Sequence, residues 1–192
     1  MVNLKIYLFR HGKTTDNIEG DFSGWHNSRL VKSGIDDAKI IAERLKNKKI
    51  DVAFQTSLFR SKQTLKEVLK NHPECREIIT VNRMIERNYG KFNDKKHLMI
   101  VKKYSPEKYD KWHRDFNSRP PGGESFAMVE KRVKIFIKNL KKFMQKEKVN
   151  VAISAHGNSI RLFRRIWEKL NKKETCELFV PYDKVYTYTL DA

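Results

Sequence analysis

Two short apolar runs, residues 4–9 and 149–154, each lead into the step His-Gly: Arg10-His11-Gly12 after the first and Ala155-His156-Gly157-Asn158 after the second. An apolar run of this length, bounded by a turn signal, reads as a strand buried on both faces, the kind found in parallel sheets. The chain between them has another period. Ile35, Ala38, Ile41, Ala42 and Leu45 recur at three and four residues, as do Phe126, Val129, Val133, Phe136, Ile137, Leu140 and Phe143. That spacing puts each set on one face of a helix. Strand-like runs alternating with amphipathic stripes build crossover units, which force their strands parallel. The expected architecture is α/β, a single domain over residues 1–192 with a mostly parallel central sheet and helices on both faces.

Further strands are expected at 51–55, 78–81 and 185–190, the last of alternating type. Helices are expected at 34–48, with Ser33 as its cap, from Leu58 to the stop at His72-Pro73, at 124–146 and at 159–169. Residues 94–117 read as one or two helices broken near Ser105-Pro106, with Ser105 able to cap the second. Pro120-Pro121-Gly122-Gly123 is the strong loop signal within the chain. No repeat or linker divides it.

Composition narrows the class. With 192 residues and 39% hydrophobic content, the chain can fill one core. No apolar run approaches the roughly 18 residues that span a bilayer, so no membrane is expected. Met1 passes directly into a strand, which argues against a secretory signal. Cys75 and Cys176 lie far apart without metal-ligand spacing, the pattern of reduced thiols in the cytoplasm. Lysines and arginines number 41 against 23 acidic residues, a net charge of +18. Such a charge is a footprint for nucleic acid. Here, however, the lysines scatter along helices without interleaved aromatics or a helix-turn-helix or zinc-finger spacing, so solvated faces are the expected reading and nucleic acid is not the expected partner. The field still draws anions toward the molecule.

Ligands of open α/β sheets bind beyond the carboxyl ends of the strands. Both histidines stand there, with Arg10 beside one and Arg161 a helical turn past the other, and so does Arg60 in Thr56-Ser57-Leu58-Phe59-Arg60. A cationic pocket containing a nucleophile suits a phosphate ester. Neutral imidazole attacks phosphorus when its second nitrogen is tied to a fixed acceptor, which makes His11 the candidate nucleophile. Arg10 and Arg60 would grip phosphoryl oxygens with planar forks. Gly12 permits close backbone approach, Thr14 and Asn17 offer further donors, and His156 is expected as a second, protonated donor. Glu86 follows the third strand and could protonate the leaving oxygen. On pattern alone, Glu86 is equally a surface partner of Arg87 or a lysine, and a single histidine after a strand is more often structural. Recurrence at one end of successive strands favours the pocket. A basic binding module that keeps the fold and holds nucleic acid is the contrasting reading.

The chain resembles the histidine phosphatase superfamily, also called the phosphoglycerate-mutase-like fold. The matching pieces are Leu8-Phe9-Arg10-His11-Gly12, Phe22-Ser23-Gly24-Trp25 with Leu30 and Gly34, and Thr56-Ser57-Leu58-Phe59-Arg60 continued to Thr64. Glu86-Arg87-Asn88-Tyr89-Gly90, Pro121-Gly122-Gly123-Glu124-Ser125 and Ala155-His156-Gly157-Asn158-Ser159-Ile160-Arg161 complete the set. The resemblance implies that His11 is phosphorylated, that Arg10, Arg60 and His156 form the phosphate pocket, and that Glu86 is the general acid and base. It implies Asn17, Ser23, Gly24, Tyr89 and Asn158 near the substrate and no metal. The superfamily holds phosphatases and mutases. The cofactor-dependent phosphoglycerate mutases usually carry glutamate where Lys13 stands, lysine at the position aligned with His97, and arginines at those aligned with His113 and Arg114. The path from Trp112 to Pro120 also lacks their longer insertion. The expectation is therefore a phosphomonoesterase on a small phosphorylated metabolite, with no cofactor. The alternative is a phosphoglycerate mutase that uses 2,3-bisphosphoglycerate as phosphodonor.

Overall fold

The computed structural model describes residues 3–191. Five strands, β1 (Asn3–Arg10), β2 (Val52–Gln55), β3 (Glu77–Thr80), β4 (Val151–Ala155) and β5 (Val185–Asp191), form one sheet in the order β3-β2-β4-β1-β5. β1, β2, β3 and β4 run parallel, and β5 is antiparallel to β1. Among the described residues, eight α-helices surround it: α1 (Thr15–Glu19), α2 (Lys32–Leu45), α3 (Phe59–Leu69), α4 (His97–Tyr104), α5 (Pro106–Arg114), α6 (Phe126–Glu147), α7 (Gly157–Glu168) and α8 (Lys172–Glu177).

The two-residue period of β1 sorts its side chains between two cores. Tyr7 and Phe9 pack with Ile41, Leu45, Leu65 and Val68 of α2 and α3. Leu4, Ile6 and Leu8 face the larger core built on α6 and α7, with Val129, Val133, Phe136, Ile160 and Phe163. Burying each of these side chains contributes about 1.5–3 kcal/mol, so the layered arrangement follows from the two periods. A third cluster is separate. Phe22, Tyr89, Phe92 and Ile100 gather with Tyr104, Tyr109 and Trp112, and seat α4 and α5 at the carboxyl edge of the sheet.

Some expected boundaries shift. α2 begins at Lys32 after Val31, so Ser33 lies inside the helix and does not cap it. Ser105 does separate α4 from α5, at φ 81°, but its side chain makes no cap bond to the backbone; Pro106 at the first helical position starts α5 instead. Ser125 caps α6 by accepting from Met128 N. Cys75 and Cys176 are unpaired. Among the described residues no helix is long and apolar enough to cross a membrane.

Candidate active site

Parallel pairing of β1 with β4 sets Arg10 opposite Ala155, so the next residue of each strand, His11 and His156, emerge side by side. The His11 N–H donates to the Ala155 carbonyl at 3.0 Å, and the two rings stand with centroids 5.0 Å apart. Both imidazoles are buried.

The bonds fix their chemistry. His11 Nδ1 lies 2.8 Å from the Gly12 carbonyl oxygen. A carbonyl only accepts, so Nδ1 carries the hydrogen and Nε2 keeps its lone pair. His156 Nε2 lies 2.7 Å from Thr56 Oγ1. His156 Nδ1 is buried without a hydrogen-bond partner, so this nitrogen, when it carries the hydrogen, can donate to a ligand oxygen. Burial pushes the pKa of His11 well below 6.5, reinforced by Arg60 and Arg10. Burial, then Arg60 and His11, do the same to His156. The expectation of a protonated His156 is thus corrected. Both rings are held in the neutral form, because a buried imidazolium beside two guanidinium groups is doubly disfavoured.

Arg60 is fully buried and donates through Nη1 to the His26 carbonyl and through Nη2 to the Gly24 carbonyl, both at 2.7 Å. Desolvation lowers its pKa to about 10, which still leaves it charged. Each nitrogen of the fork gives a hydrogen to backbone and keeps a second one, and the buried Nε has no partner at all. Arg10 is similar. Its Nη1 donates to Val180 O at 2.9 Å, its guanidinium stacks 3.9 Å from the Tyr182 ring centre, and its buried Nε has no partner. Orphaned charged donors around two imidazoles suit an oxyanion-rich ligand.

A cavity of about 310 Å³ opens beside this cluster. Its wall includes Arg10, Glu86, Gly157, Asn158, Arg161 and Tyr182, and it stops short of His11, Arg60 and His156, which sit immediately behind. Asn17, Ser23, Gly24, Tyr89, His97, His113 and Arg114 also line it. Thr14 does not. Its side chain accepts from Asn17 N at 3.4 Å and lies 3.0 Å from Asn17 Oδ1, so the residue caps α1 and orients Asn17. Gly12 also has a role in packing: a Cβ there would stand 2.0 Å from the Gly34 carbonyl. The turn carrying His11 is therefore pressed onto the first turn of α2.

Glu86 belongs to this pocket and is not a surface partner of Arg87. Its Oε1 accepts from Arg87 N at 2.7 Å and from Asn158 N, in the first turn of α7, at 3.2 Å. Oε2 makes no hydrogen bond among the described residues. The buried Arg87 guanidinium instead reaches four carbonyls, of Trp112, His113, Ser118 and Glu124, and so anchors the end of α5 over the cavity. Asn158 Nδ2 donates to the Tyr89 hydroxyl at 3.0 Å, and Arg161 Nη1 donates to Asn158 Oδ1 at 3.0 Å.

A family model for branch 1 of the histidine phosphatase superfamily matches residues 6–191. The chain belongs to that superfamily. It is 30% identical to the 2,3-bisphosphoglycerate-dependent phosphoglycerate mutase of Chlamydia abortus, over 95% of this chain and 92% of the relative. The corresponding mutase of Parvibaculum lavamentivorans is 31% identical over 100% and 92%. In fold it is similar to a putative alpha-ribazole-5'-P phosphatase from Escherichia coli, with TM-score 0.83, 22% identity, and coverage of 96% of this chain and 89% of the other. It is also similar to the mycobacterial glucosyl-3-phosphoglycerate phosphatase, with TM-score 0.80, 21% identity, and coverage of 92% and 85%. As a member of the histidine phosphatase superfamily the chain is a phosphoryl-transfer enzyme of the phosphatase or phosphoglycerate mutase kind.

Several wall residues of this superfamily member carry no local sequence signal. Tyr182 and Val180, between α8 and β5, cover Arg10, and the Tyr182 ring lies edge-on to His11 with centroids 6.3 Å apart. Thr56 was visible only as part of a matching motif, and its hydrogen bond to His156 needs the fold.

The histidines of this superfamily site should make stability depend on pH. Burial lowers the pKa of His11, His156 and His97, and that of His113 falls to about 2. Each unfolds to a histidine of ordinary pKa near 6.5, so between pH 7 and 5 the unfolded chain binds more protons than the folded one. Stability is complete above about pH 7 and declines as pH falls. The urea midpoint should drop from pH 7.5 to pH 5, and a His113→Asn variant should show a shallower decline. A midpoint that is flat or rises on acidification would contradict the neutral cluster.

Proposed function

We propose that this protein is a phosphomonoesterase working through a phosphohistidine at His11. His11 Nε2 attacks phosphorus, and the P–O bond to the leaving group breaks as Glu86 Oε2 gives that oxygen its proton. Water, deprotonated by the same carboxylate, then attacks phosphorus and breaks the P–N bond, which releases inorganic phosphate and returns Nε2 as the neutral base. Arg10 and Arg60, through donors that no protein group takes, and the Nδ1–H of His156 stabilise the charge on the transferring group. Arg161 adds to the field. These cations and donors are proposed to suffice without a metal or cofactor. Bound phosphate would also offset the repulsion from Arg60 and Arg10 that adds to burial in holding His156 neutral, and favour its taking a proton.

The observation that carries hydrolysis over isomerisation is in the histidines of the cavity wall. His97 and His113 line it, and both are held neutral, chiefly by burial. His97 stacks on Phe22 with centroids 3.7 Å apart, and its Nδ1 lies 2.7 Å from the Tyr109 hydroxyl. Neutral rings there hold a carboxylate less firmly than charged side chains would, by about 1.5–3 kcal/mol for each charged hydrogen bond absent. A monophosphoglycerate reorienting on the enzyme would escape, and water would take the phosphoryl group. The second reading, a 2,3-bisphosphoglycerate-dependent phosphoglycerate mutase of glycolysis, is favoured by the 30–31% identity with such mutases across almost the whole chain.

One assay separates them. Supplied with 3-phosphoglycerate and a trace of 2,3-bisphosphoglycerate, the enzyme should interconvert 3- and 2-phosphoglycerate slowly at most, and it should release inorganic phosphate from several small esters. Isomerisation outpacing phosphate release by orders of magnitude would establish the mutase. The same reading places the enzyme in the cytoplasm, where phosphorylated metabolites meet its unpaired thiols.

A further inference from the structure

The cavity wall contains a second carboxylate besides Glu86. Asp21 is fixed by its backbone, whose N–H donates to Asp16 O at 2.9 Å, and by an antiparallel bridge to Lys96 just before α4. Its side chain stands near His97, in the wall shared with His113 and Arg114. Its Oδ1 is buried and has no partner. Two residues on, Ser23 Oγ is also buried without a partner and lines the same space. Buried polar atoms without a protein partner are matched by a ligand that supplies one.

The two orphans define that partner. A carboxylate only accepts, and a serine hydroxyl both donates and accepts, so their shared complement is a hydroxyl-bearing chain. A carboxylate-bearing ligand would instead set a second negative charge in the enclosure. The opposing positive charge in that part of the wall is Arg114, which is exposed and directs Nη1 to Cys176 O at 3.3 Å.

Resting on the phosphatase reading of the pocket, we propose that Asp21, with Ser23, is a specificity determinant selecting polyol or sugar phosphates over phosphorylated carboxylic acids. Selection works in both directions, by a hydrogen bond to the right leaving group and by repulsion of the wrong one.

Glycerol 3-phosphate and 3-phosphoglycerate test this closely, since a CH2OH group in one replaces a carboxylate in the other. Phosphate release by the purified full chain should favour glycerol 3-phosphate in kcat/KM. Asp21→Asn should shift the ratio toward 3-phosphoglycerate by about tenfold, the scale of one like-charge contact largely screened by water, with the change carried in KM. Asp21→Ser, which removes the charge and introduces a hydroxyl, should shift it the same way. A wild-type preference for 3-phosphoglycerate, or an unchanged ratio in both variants, overturns the proposal. p-Nitrophenyl phosphate reports the phosphatase reading separately. If wild type fails to hydrolyse it, that reading has failed, and Asp21 is judged by binding alone. Glycerol 3-phosphate should then raise the melting temperature more than 3-phosphoglycerate, with the difference shrinking in Asp21→Asn; equal shifts in wild type overturn the proposal.

Discussion

Replacing His11 by alanine should lower turnover of any phosphate ester by about 10⁴-fold or more, the scale seen when a nucleophile is removed from a site whose charge stabilisation remains. The expectation rests on two bonds. The Gly12 carbonyl fixes the Nδ1–H tautomer and leaves Nε2 as the free base. The Ala155 carbonyl ties the His11 backbone to β4 and holds it beside His156. Burial and the two arginines keep the ring neutral, which an attacking imidazole requires. Incubation with a labelled phosphodonor should give wild type an acid-labile, base-stable adduct that is missing in His11→Ala. The variant should keep the wild-type circular dichroism spectrum, since Gly12 and Gly34 still meet. Label that persists in the folded variant would move the nucleophile elsewhere, with His156 the next residue to test.

Much of this pocket was legible because its parts are local. The runs ending at Arg10 and Ala155 read as strands from their apolar continuity, and the histidines follow from where such strands end. The stripes on α2 and α6 were equally plain, each repeating over three or more turns. α1 and α8, of 5 and 6 residues, are too short for any period to register. The insertion of β4 between β2 and β1, which makes the two histidines neighbours, follows from no local pattern. Nor does the state of His156. An isolated imidazole beside phosphate-binding arginines invites a positive charge, and only its complete burial beside Arg60 reverses that. Tyr182, Asp21 and the aromatic cluster of Phe22, Tyr89, Phe92 and Ile100 come from segments far apart in sequence. Their joint effect on the cavity is a product of tertiary packing.

Glu86→Gln should separate substrates by their leaving groups. The change keeps an acceptor oxygen for Arg87 N and Asn158 N, the two bonds that tether Oε1, so the side chain can stay in place. The clamps on its backbone are independent of the substitution: Trp25 Nε1 at 2.7 Å and Arg132 Nη2 at 3.0 Å both donate to Glu86 O. What is lost is the ionisable oxygen. An alkyl ester such as a polyol phosphate leaves as a strongly basic alkoxide unless protonated, and its turnover should fall by about 10²–10⁴-fold, the usual worth of a positioned general acid. p-Nitrophenolate leaves with little protonation, so formation of the phosphoenzyme from p-nitrophenyl phosphate should fall far less. Single-turnover mixing isolates that first step from the later attack of water, in which the same carboxylate acts as base. A burst of p-nitrophenol that survives in Glu86→Gln, followed by slow release of phosphate, would assign both proton transfers to Glu86. Equal losses on both esters in the burst phase would show that Glu86 serves to cap α7 and bind substrate, and that the acid lies elsewhere.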